Sequence, residues 1–305
     1  MNFLSVFGHA NLDYIITLPR FPEPNTSIEL ADSKTYFGGP GANIARIASI
    51  LGVKTALATF VGENFPENYY SALKSSNLDL KDFRKVKDYS TPTCWLISAK
   101  QKQIGIMDQG PMKDMEKFRV LDYAVRSSRI IHITTGRPGY YKKIVELAYK
   151  MGKKIGFDPA QEIHYVYSPE MFKYILKKSR YFFASESECK TALKYLKLKK
   201  PEEILNFVDV FILTKGKKGS VIYTENEKIK IPIVKAKKVV DITGAGDGYR
   251  AGFYAGLSRN YELEKCGMIA STVASFIVES YGTQTKIPSW KMVLERMRKT
   301  KILNP

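Results

Sequence analysis

The sequence predicts an α/β fold: a doubly wound, mostly parallel sheet flanked by helices, with a small β-sheet lid. Three observations predict it. From residue 129 onward, short apolar runs alternate with segments of helical period, which implies parallel strands joined by right-handed crossovers. Two stretches, about 12–36 and 91–110, carry β-like runs outside that alternation and read as a small projecting sheet. Polar turns recur where the strands end, the edge at which open α/β sheets bind ligands. The 305 residues are expected to form a single domain, 1–305, with the two stretches as its lid.

Phe3–Phe7 reads as a buried strand, with Gly8-His9-Ala10-Asn11-Leu12-Asp13 as a loop at its carboxyl end. Tyr14–Leu18 is a second β-like run, ended by Pro19, Pro22 and Pro24, and residues 28–37 read as a further strand. In Phe37-Gly38-Gly39-Pro40-Gly41-Ala42-Asn43 a glycine-rich turn opens a helix. Ile44, Ile47, Ala48 and Leu51 recur at helical spacing before Gly52 stops it. Asn43 falls in the first turn, as a cap or as a hydroxyl ligand. Thr55–Val61 reads as a strand and residues 66–74 as a short helix. Thr93–Ala99 and Gln103–Met107 form a hairpin around Lys100-Gln101-Lys102, ending in Asp108-Gln109-Gly110-Pro111.

Strands then follow at Arg129–Thr134, Lys154–Phe157, Tyr181–Ala184 and Asp209–Leu213. Their turns carry Arg137, Asp158, Ser185 with Glu188, and Thr214 with Gly216. One helix opens at Ser168-Pro169-Glu170, with serine as cap and proline first. Gly219–Tyr223 and Ile229–Ile233 make a second hairpin, and residues 261–279 a long helix.

The most informative stretch is Val239-Val240-Asp241-Ile242-Thr243-Gly244-Ala245-Gly246-Asp247-Gly248-Tyr249. It reads as a strand end, a tight turn and a helix start. Glycines let successive N–H groups converge, and the helix N-terminus adds a partial positive charge. Gly244, Ala245 and Gly246 thus form an anion hole suited to a phosphoryl group. A carboxylate beside it would repel a resting phosphate, so Asp247 suits the removal of a proton from an attacking hydroxyl. Behind it, Gly248, Ala251, Gly252, Ala255 and Gly256 suit close helix packing.

Composition narrows the partners. The net charge of +18 comes mostly from scattered lysines, which reads as a solvated surface that concentrates anions such as ATP. No aromatic-and-basic stacking motif stands out, so no specific nucleic acid partner is expected. Cys94, Cys189 and Cys266 have neither metal nor disulfide spacing, which fits a reducing cytoplasm. The N-terminal segment has no basic leader or long apolar run, so no membrane is expected.

Gly38-Gly39 with Asn43, Ser185…Glu188, and Asp241-Ile242-Thr243-Gly244-Ala245-Gly246-Asp247 coincide in one chain. Together they resemble the ribokinase (pfkB carbohydrate kinase) family over nearly the whole length. The runs around Asp247-Gly248-Tyr249-Arg250-Ala251-Gly252-Phe253 and Gly39–Asn43 are most similar to its archaeal nucleoside kinase branch. The resemblance implies a ribokinase-like fold and ATP-dependent phosphorylation of an alcohol. It makes Asp247 the catalytic base and Gly244, Ala245 and Gly246 the γ-phosphate hole. It matches Asn11, Asp13, Gly38, Gly39 and Asn43 to positions that hold sugar hydroxyls. It matches Glu188 to the carboxylate that organises Mg²⁺ and its waters, and Thr214, Gly216 and Gly219 to the turn bordering ATP. Two positions depart from the pattern. Ser185 stands where the family usually has Asn, and Gly248 where it has Thr, Ser or Ala. A monovalent cation near Asp241 and Thr243, and a homodimer through the lid, are further possibilities within the resemblance.

For the acceptor, Gln109 at the end of the lid hairpin is placed to hydrogen-bond a base. Tyr14, Tyr36 and Phe37 offer an aromatic wall, and Arg137 a contact to a phosphate oxygen. The leading expectation is a nucleoside 5′-kinase acting on a purine nucleoside or cytidine. The alternatives are a ribose or fructose kinase and a non-catalytic nucleoside or sugar sensor. His9, His132 and His164 receive no catalytic role.

Overall fold

The computed structural model describes residues 1–100 and 102–299; Gln101, expected from the sequence to separate the strands of the first hairpin, lies outside the described residues. The large sheet comprises β1 (Asn2–Phe7), β4 (Thr55–Gly62), β5 (Phe83–Val86), β8 (Ser128–Ile133), β9 (Lys154–Phe157), β10 (Tyr181–Ser185), β11 (Val210–Thr214), β12 (Ser220–Tyr223) and β13 (Lys228–Ile231). Their spatial order is β13-β12-β11-β10-β9-β8-β1-β4-β5. All pairings are parallel except those of β11 with β12 and β12 with β13. β4 is buried at every position, as a parallel strand covered on both faces must be.

The helices are α1 (Pro40–Ile50), α2 (Glu67–Ser75), α3 (Asp122–Arg126), α4 (Pro138–Lys150), α5 (Pro169–Leu176), α6 (Glu186–Leu196), α7 (Ala245–Leu257), α8 (Leu263–Ile277) and α9 (Trp290–Lys299). Two cores follow from the alternation of side chains along the strands. Leu4 and Val6 of β1 join the core beneath α1, α2, α7 and α8, whereas Phe7 joins the one beneath α3 to α6. Each fully buried leucine, valine or phenylalanine stabilises the fold by roughly 1.5–3 kcal/mol. The small residues of α7 meet α8 as their spacing suggests: a Cβ on Gly252 would lie 2.8 Å from the Cα of Ala270.

Strand β1 lies between β4 and β8, so the chain winds outward in both directions from it. Such a switch point opens a crevice at the carboxyl ends of the strands. The turns after β1, β8, β9, β10 and β11 all open on that edge.

A separate sheet comprises β2 (Asn11–Leu18), β3 (Asp32–Gly38), β6 (Thr93–Ala99) and β7 (Lys102–Asp108), in the order β3-β2-β6-β7. Its boundaries correct two expectations. Asn11 and Asp13 lie within β2 rather than in a loop, because Asn11, Leu12 and Asp13 pair with Gly38, Phe37 and Tyr36. β3 starts at Asp32 rather than 28, since the ladder ends at the pair Thr17 and Asp32. The sequence reading also passed over β5, α3 and α9. β5 is only four residues long with Arg84 and Lys85 exposed, and α9 buries little beyond Val293 and Met297. β5 is too short to show a period, whereas α9 does carry one, with Trp290, Val293, Leu294 and Met297 at helical spacing.

Candidate active site

Asp247 lies in the first turn of α7, whose N-cap is Gly244. Gly244 has φ 73°, and a Cβ there would meet the Thr283 hydroxyl at 1.9 Å, so both backbone and space favour glycine. The Asp247 carboxylate accepts a hydrogen bond from Asn43 Nδ2 at 2.8 Å. Burial pushes its pKa up to about 7, aided by Asp158 and Asp13 and opposed by the Asn43 donor and Arg250. A carboxyl group held near neutrality is suited to proton transfer at physiological pH.

Arg250 lies one turn further along α7 and is buried. Its Nε donates to Asp158 Oδ2 at 2.7 Å and its Nη2 to Asp158 Oδ1 at 3.3 Å. Burial works against its charge, but Asp158, Glu188 and Asp247 raise its pKa above the usual arginine value. Arg250 therefore links the α7 turn to the carboxyl ends of β9 and β10.

On the small sheet, Asn11 Nδ2 donates to Asp13 Oδ1 at 2.6 Å. Burial pushes Asp13 up to about 6, with the Asn11 donor opposing and Asp241 adding to the shift. Gly38 lies against this carboxylate, where a Cβ would fall 2.1 Å from Asp13 Oδ2. Gly38→Ala is therefore expected to displace Asp13 and raise the acceptor KM at least tenfold, by initial-rate kinetics. An unchanged KM would remove Asp13 from the site. Gly39 precedes α1 as its N-cap, and Asn43 lies in the first turn as expected. Asn43 is already bonded to Asp247, so its amide serves the carboxylate as well as any acceptor. The expected aromatic wall is broken by strand alternation. Tyr36 pairs with Asp13 and shares its face, while Tyr14 and Phe37 lie on the opposite one. Phe37 stacks on Tyr69 at 4.2 Å, and Tyr14 on Trp95 at 6.3 Å.

Gln109 belongs to a cluster that the sequence did not reveal. Its Oε1 faces His9 Nε2, and its Nε2 donates to Glu162 Oε1 at 3.4 Å. Glu162 Oε2 accepts the Gly136 N–H, and His9 Nδ1 meets the Thr135 hydroxyl at 2.8 Å. Burial lowers the His9 pKa to about 4, so the ring is neutral near pH 7. The neutral tautomer that fits donates from Nε2 to Gln109 and accepts at Nδ1 from Thr135. Burial also pushes Glu162 up to about 7, against the Gly136 N–H, Arg137 and Gln109. Arg137 caps α4 and donates from Nε to the Lys113 carbonyl at 3.2 Å, and its charge acts on both His9 and Glu162. The structure thus brings Arg137 beside Gln109.

Ser185 and Thr214 lie side by side at the ends of β10 and β11. Ser185 caps α6 in a reciprocal box: the Ser185 N–H donates to Glu188 Oε2 at 2.6 Å, and Ser185 Oγ accepts the Glu188 N–H at 3.4 Å. That leaves Glu188 Oε1 without a partner in the box. The turn after β11 holds Gly216 at φ 55° and Gly219 at φ 82°. Asp241 Oδ1 accepts the Thr243 N–H at 2.9 Å, at the entry to the α7 turn. Among the described residues no group of three or more His, Cys, Asp or Glu side chains is clustered to hold a metal alone. A divalent ion here would rely on phosphate oxygens and water, with Glu188 acting through that water, which suits Mg²⁺.

His132 is buried on Tyr254 and His164 meets Thr191 at 2.9 Å. Of the residues that sequence reasoning missed, Arg250 carried a signal, as the one basic residue in a helix of mostly small residues, three positions after Asp247. Glu162, Arg46, Tyr69 and Gln284 carried none.

A family model described as pfkB family carbohydrate kinase matches residues 1–290. A nucleoside kinase of Methanocaldococcus jannaschii is 38% identical over 304 residues, covering 99% of both chains. One of Methanothermobacter thermautotrophicus is 36% identical over 295 residues, covering 96% of this chain and 94% of that protein. The crystal structure of the M. jannaschii nucleoside kinase, an archaeal member of the ribokinase family, matches with a TM-score of 0.92 over 98% of this chain and 99% of that one.

Proposed function

The chain belongs to the pfkB family of carbohydrate kinases and is a phosphotransferase with an alcohol acceptor; on that premise we propose that it phosphorylates the 5′-hydroxyl of a nucleoside from ATP. The observation that carries this reading is Asp247, a partly buried carboxylate at the glycine-rich start of α7, near neutrality and bonded to Asn43. Asp247 takes the hydroxyl proton as the oxygen attacks the γ-phosphorus. The bond from that phosphorus to the β,γ-bridging oxygen breaks, and ADP leaves. The N–H groups of Gly244, Ala245 and Gly246 hold the phosphoryl oxygens as charge develops. Mg²⁺ would neutralise phosphate charge when bound, and Glu188 and Ser185 would be the residues to hold it through water. Thr214, Gly216 and Gly219 border the nucleotide.

Asn11, Asp13 and Gly38 hold the ribose hydroxyls, and the small sheet closes over the sugar as a lid that excludes water. Gln109 reads the base. Its carbonyl is engaged by His9 and one of its N–H groups by Glu162, which leaves one N–H for an acceptor on a purine or pyrimidine. The full-length similarity to archaeal nucleoside kinases supports a nucleoside over a free sugar.

A panel of adenosine, guanosine, inosine, cytidine, ribose, fructose and fructose 6-phosphate with Mg-ATP tests the reading by ADP release. Turnover on nucleosides is expected. Turnover on free sugars alone would overturn the nucleoside assignment. Gln109→Ala is expected to lower nucleoside kcat/KM by roughly ten- to a hundredfold, the loss of one buried hydrogen bond. Unchanged kinetics would remove Gln109 from base recognition.

The exposed Ile104 and Ile106 share one face of the small sheet with Tyr14 and Trp95. That apolar face supports a homodimer through the lid, which sedimentation velocity would detect.

A further inference from the structure

We infer that Arg46 and Gln284 are positioning residues, which hold an N–H of Asn43 on the Asp247 carboxylate. The inference rests on the reading of Asp247 as the base and extends it. Four side chains from three segments form one directional chain. Arg46 Nη1 donates to Gln284 Oε1 at 3.1 Å. Gln284 Nε2 donates to Asn43 Oδ1 at 2.8 Å, and Asn43 Nδ2 to Asp247 Oδ2 at 2.8 Å. The second Gln284 Nε2 hydrogen goes to the Tyr69 hydroxyl at 2.7 Å, and Tyr69 donates in turn to the Gly38 carbonyl at 2.6 Å. Asn43, Gln284 and Tyr69 are buried, so water does not offer them alternatives.

The chemistry of the ends gives the chain its direction. An amide presents a carbonyl on one side and N–H groups on the other, and its rotation by half a turn exchanges them. Guanidinium only donates, so Arg46 demands the carbonyl of Gln284. That turns the Gln284 NH₂ toward Asn43, which must answer with its own carbonyl. Asn43 then has only N–H left for Asp247. The far end is complementary, because an ionised carboxylate only accepts. A donor-only group more than one side chain away thus selects the base-competent form of Asp247, and the Gly38 carbonyl ties the same relay to the end of β3, beside Asp13. The other charged groups acting on Asp247 are Arg250, Asp158 and Asp13, none of which belongs to the relay.

Replacement of Gln284 by Glu reverses the middle of the chain. A carboxylate there still accepts from Arg46 but draws the Asn43 NH₂ toward itself, so the Asn43 carbonyl faces Asp247 and favours its protonated form. Arg46→Met removes the donor that sets the direction. The test is kcat against pH from 5 to 9, at saturating nucleoside and Mg-ATP. In both variants the acid limb is expected to move up by about one unit, a roughly tenfold loss at pH 6 that shrinks toward pH 9. The nucleoside KM should move by less than about threefold. Arg46→Lys, which still only donates, should bring the limb back. A limb that stays in place while kcat falls by one factor at every pH would overturn the relay. If Gln284→Glu does not fold, Arg46→Met decides, since Arg46 is half-buried on α1. Full turnover in Asp247→Asn would instead defeat the base reading itself. A dead Asp247→Asn beside unmoved limbs would defeat the relay alone.

Discussion

Asp247→Asn is expected to lower kcat by roughly a thousandfold or more while nucleoside and ATP still bind. General-base assistance contributes about 10²–10⁴ in rate, and asparagine keeps the shape of the side chain but cannot take the proton. Isothermal titration should give dissociation constants within a few-fold of the wild type. Full turnover would sink the mechanism, and a loss of binding equal to the loss of rate would recast Asp247 as a substrate ligand. The same substitution has a second, opposite consequence. The folded carboxyl holds its proton up to about 7, whereas its ordinary value is 3.8. Between these values the folded state binds more protons than the unfolded one, so stability falls as pH rises through that window and stays lower above it. Asparagine carries no such cost. The variant should therefore melt above the wild type at pH 8, and the difference should vanish below pH 4. Scanning calorimetry at the two pH values reads this directly, and in the wild type the acid limb of kcat should fall near pH 7.

How much of this was readable in the sequence depends on how local each signal is. The turn at Gly244 and the glycines at 38 and 39 are local: a backbone that must curl and a space that refuses a Cβ leave their mark on adjacent residues. The alternation of strand and helix from residue 129 is equally local, and it placed the polar turns at the carboxyl ends of the parallel strands. The ladder of β2 with β3 is not local. The pairing of Asn11 with Gly38 moved Asn11 and Asp13 from a loop onto a strand, and that placement separated Tyr14 and Phe37 from the site face. The polar clusters are less local still. Glu162 reaches Gln109 from 53 positions away, and Gln284 reaches Asn43 from 241. A buried amide or carboxylate has no periodicity, and its partner is chosen by the fold. His9 illustrates the limit: it stood within the expected substrate loop, yet its partners Thr135 and Gln109 lie more than ninety residues further on.

Asp158→Ala is expected to be the most destabilising single change at the site. Asp158 and Arg250 are nearly inaccessible to water and joined by two hydrogen bonds, so removal of the carboxylate leaves a guanidinium buried without its main partner. Breaking such a pair from one side costs about 3–5 kcal/mol, whereas replacing both members by apolar groups often costs far less. For a chain of this size the single change should lower Tm by roughly 5–10 °C. The double change Asp158→Leu with Arg250→Leu should recover part of that loss, the signature of residues that are coupled rather than independent. The direction of the catalytic effect follows from the same geometry. Asp158 raises the pKa of Asp247 and Arg250 lowers it. Without Asp158 the repulsion disappears and Arg250 is released to turn toward Asp247 and Glu188, so both changes favour the ionised base. The acid limb of kcat should move below pH 7 in the more conservative Asp158→Asn, opposite to its movement in Gln284→Glu. An acid limb that rises in Asp158→Asn, or a Tm within 2 °C of wild type in Asp158→Ala, would show that the pair neither anchors α7 nor tunes its carboxylate. Opposite shifts from two flanks of one residue would mean that the ionisation of Asp247 is set jointly by the relay through Asn43 and by the ion pair behind it.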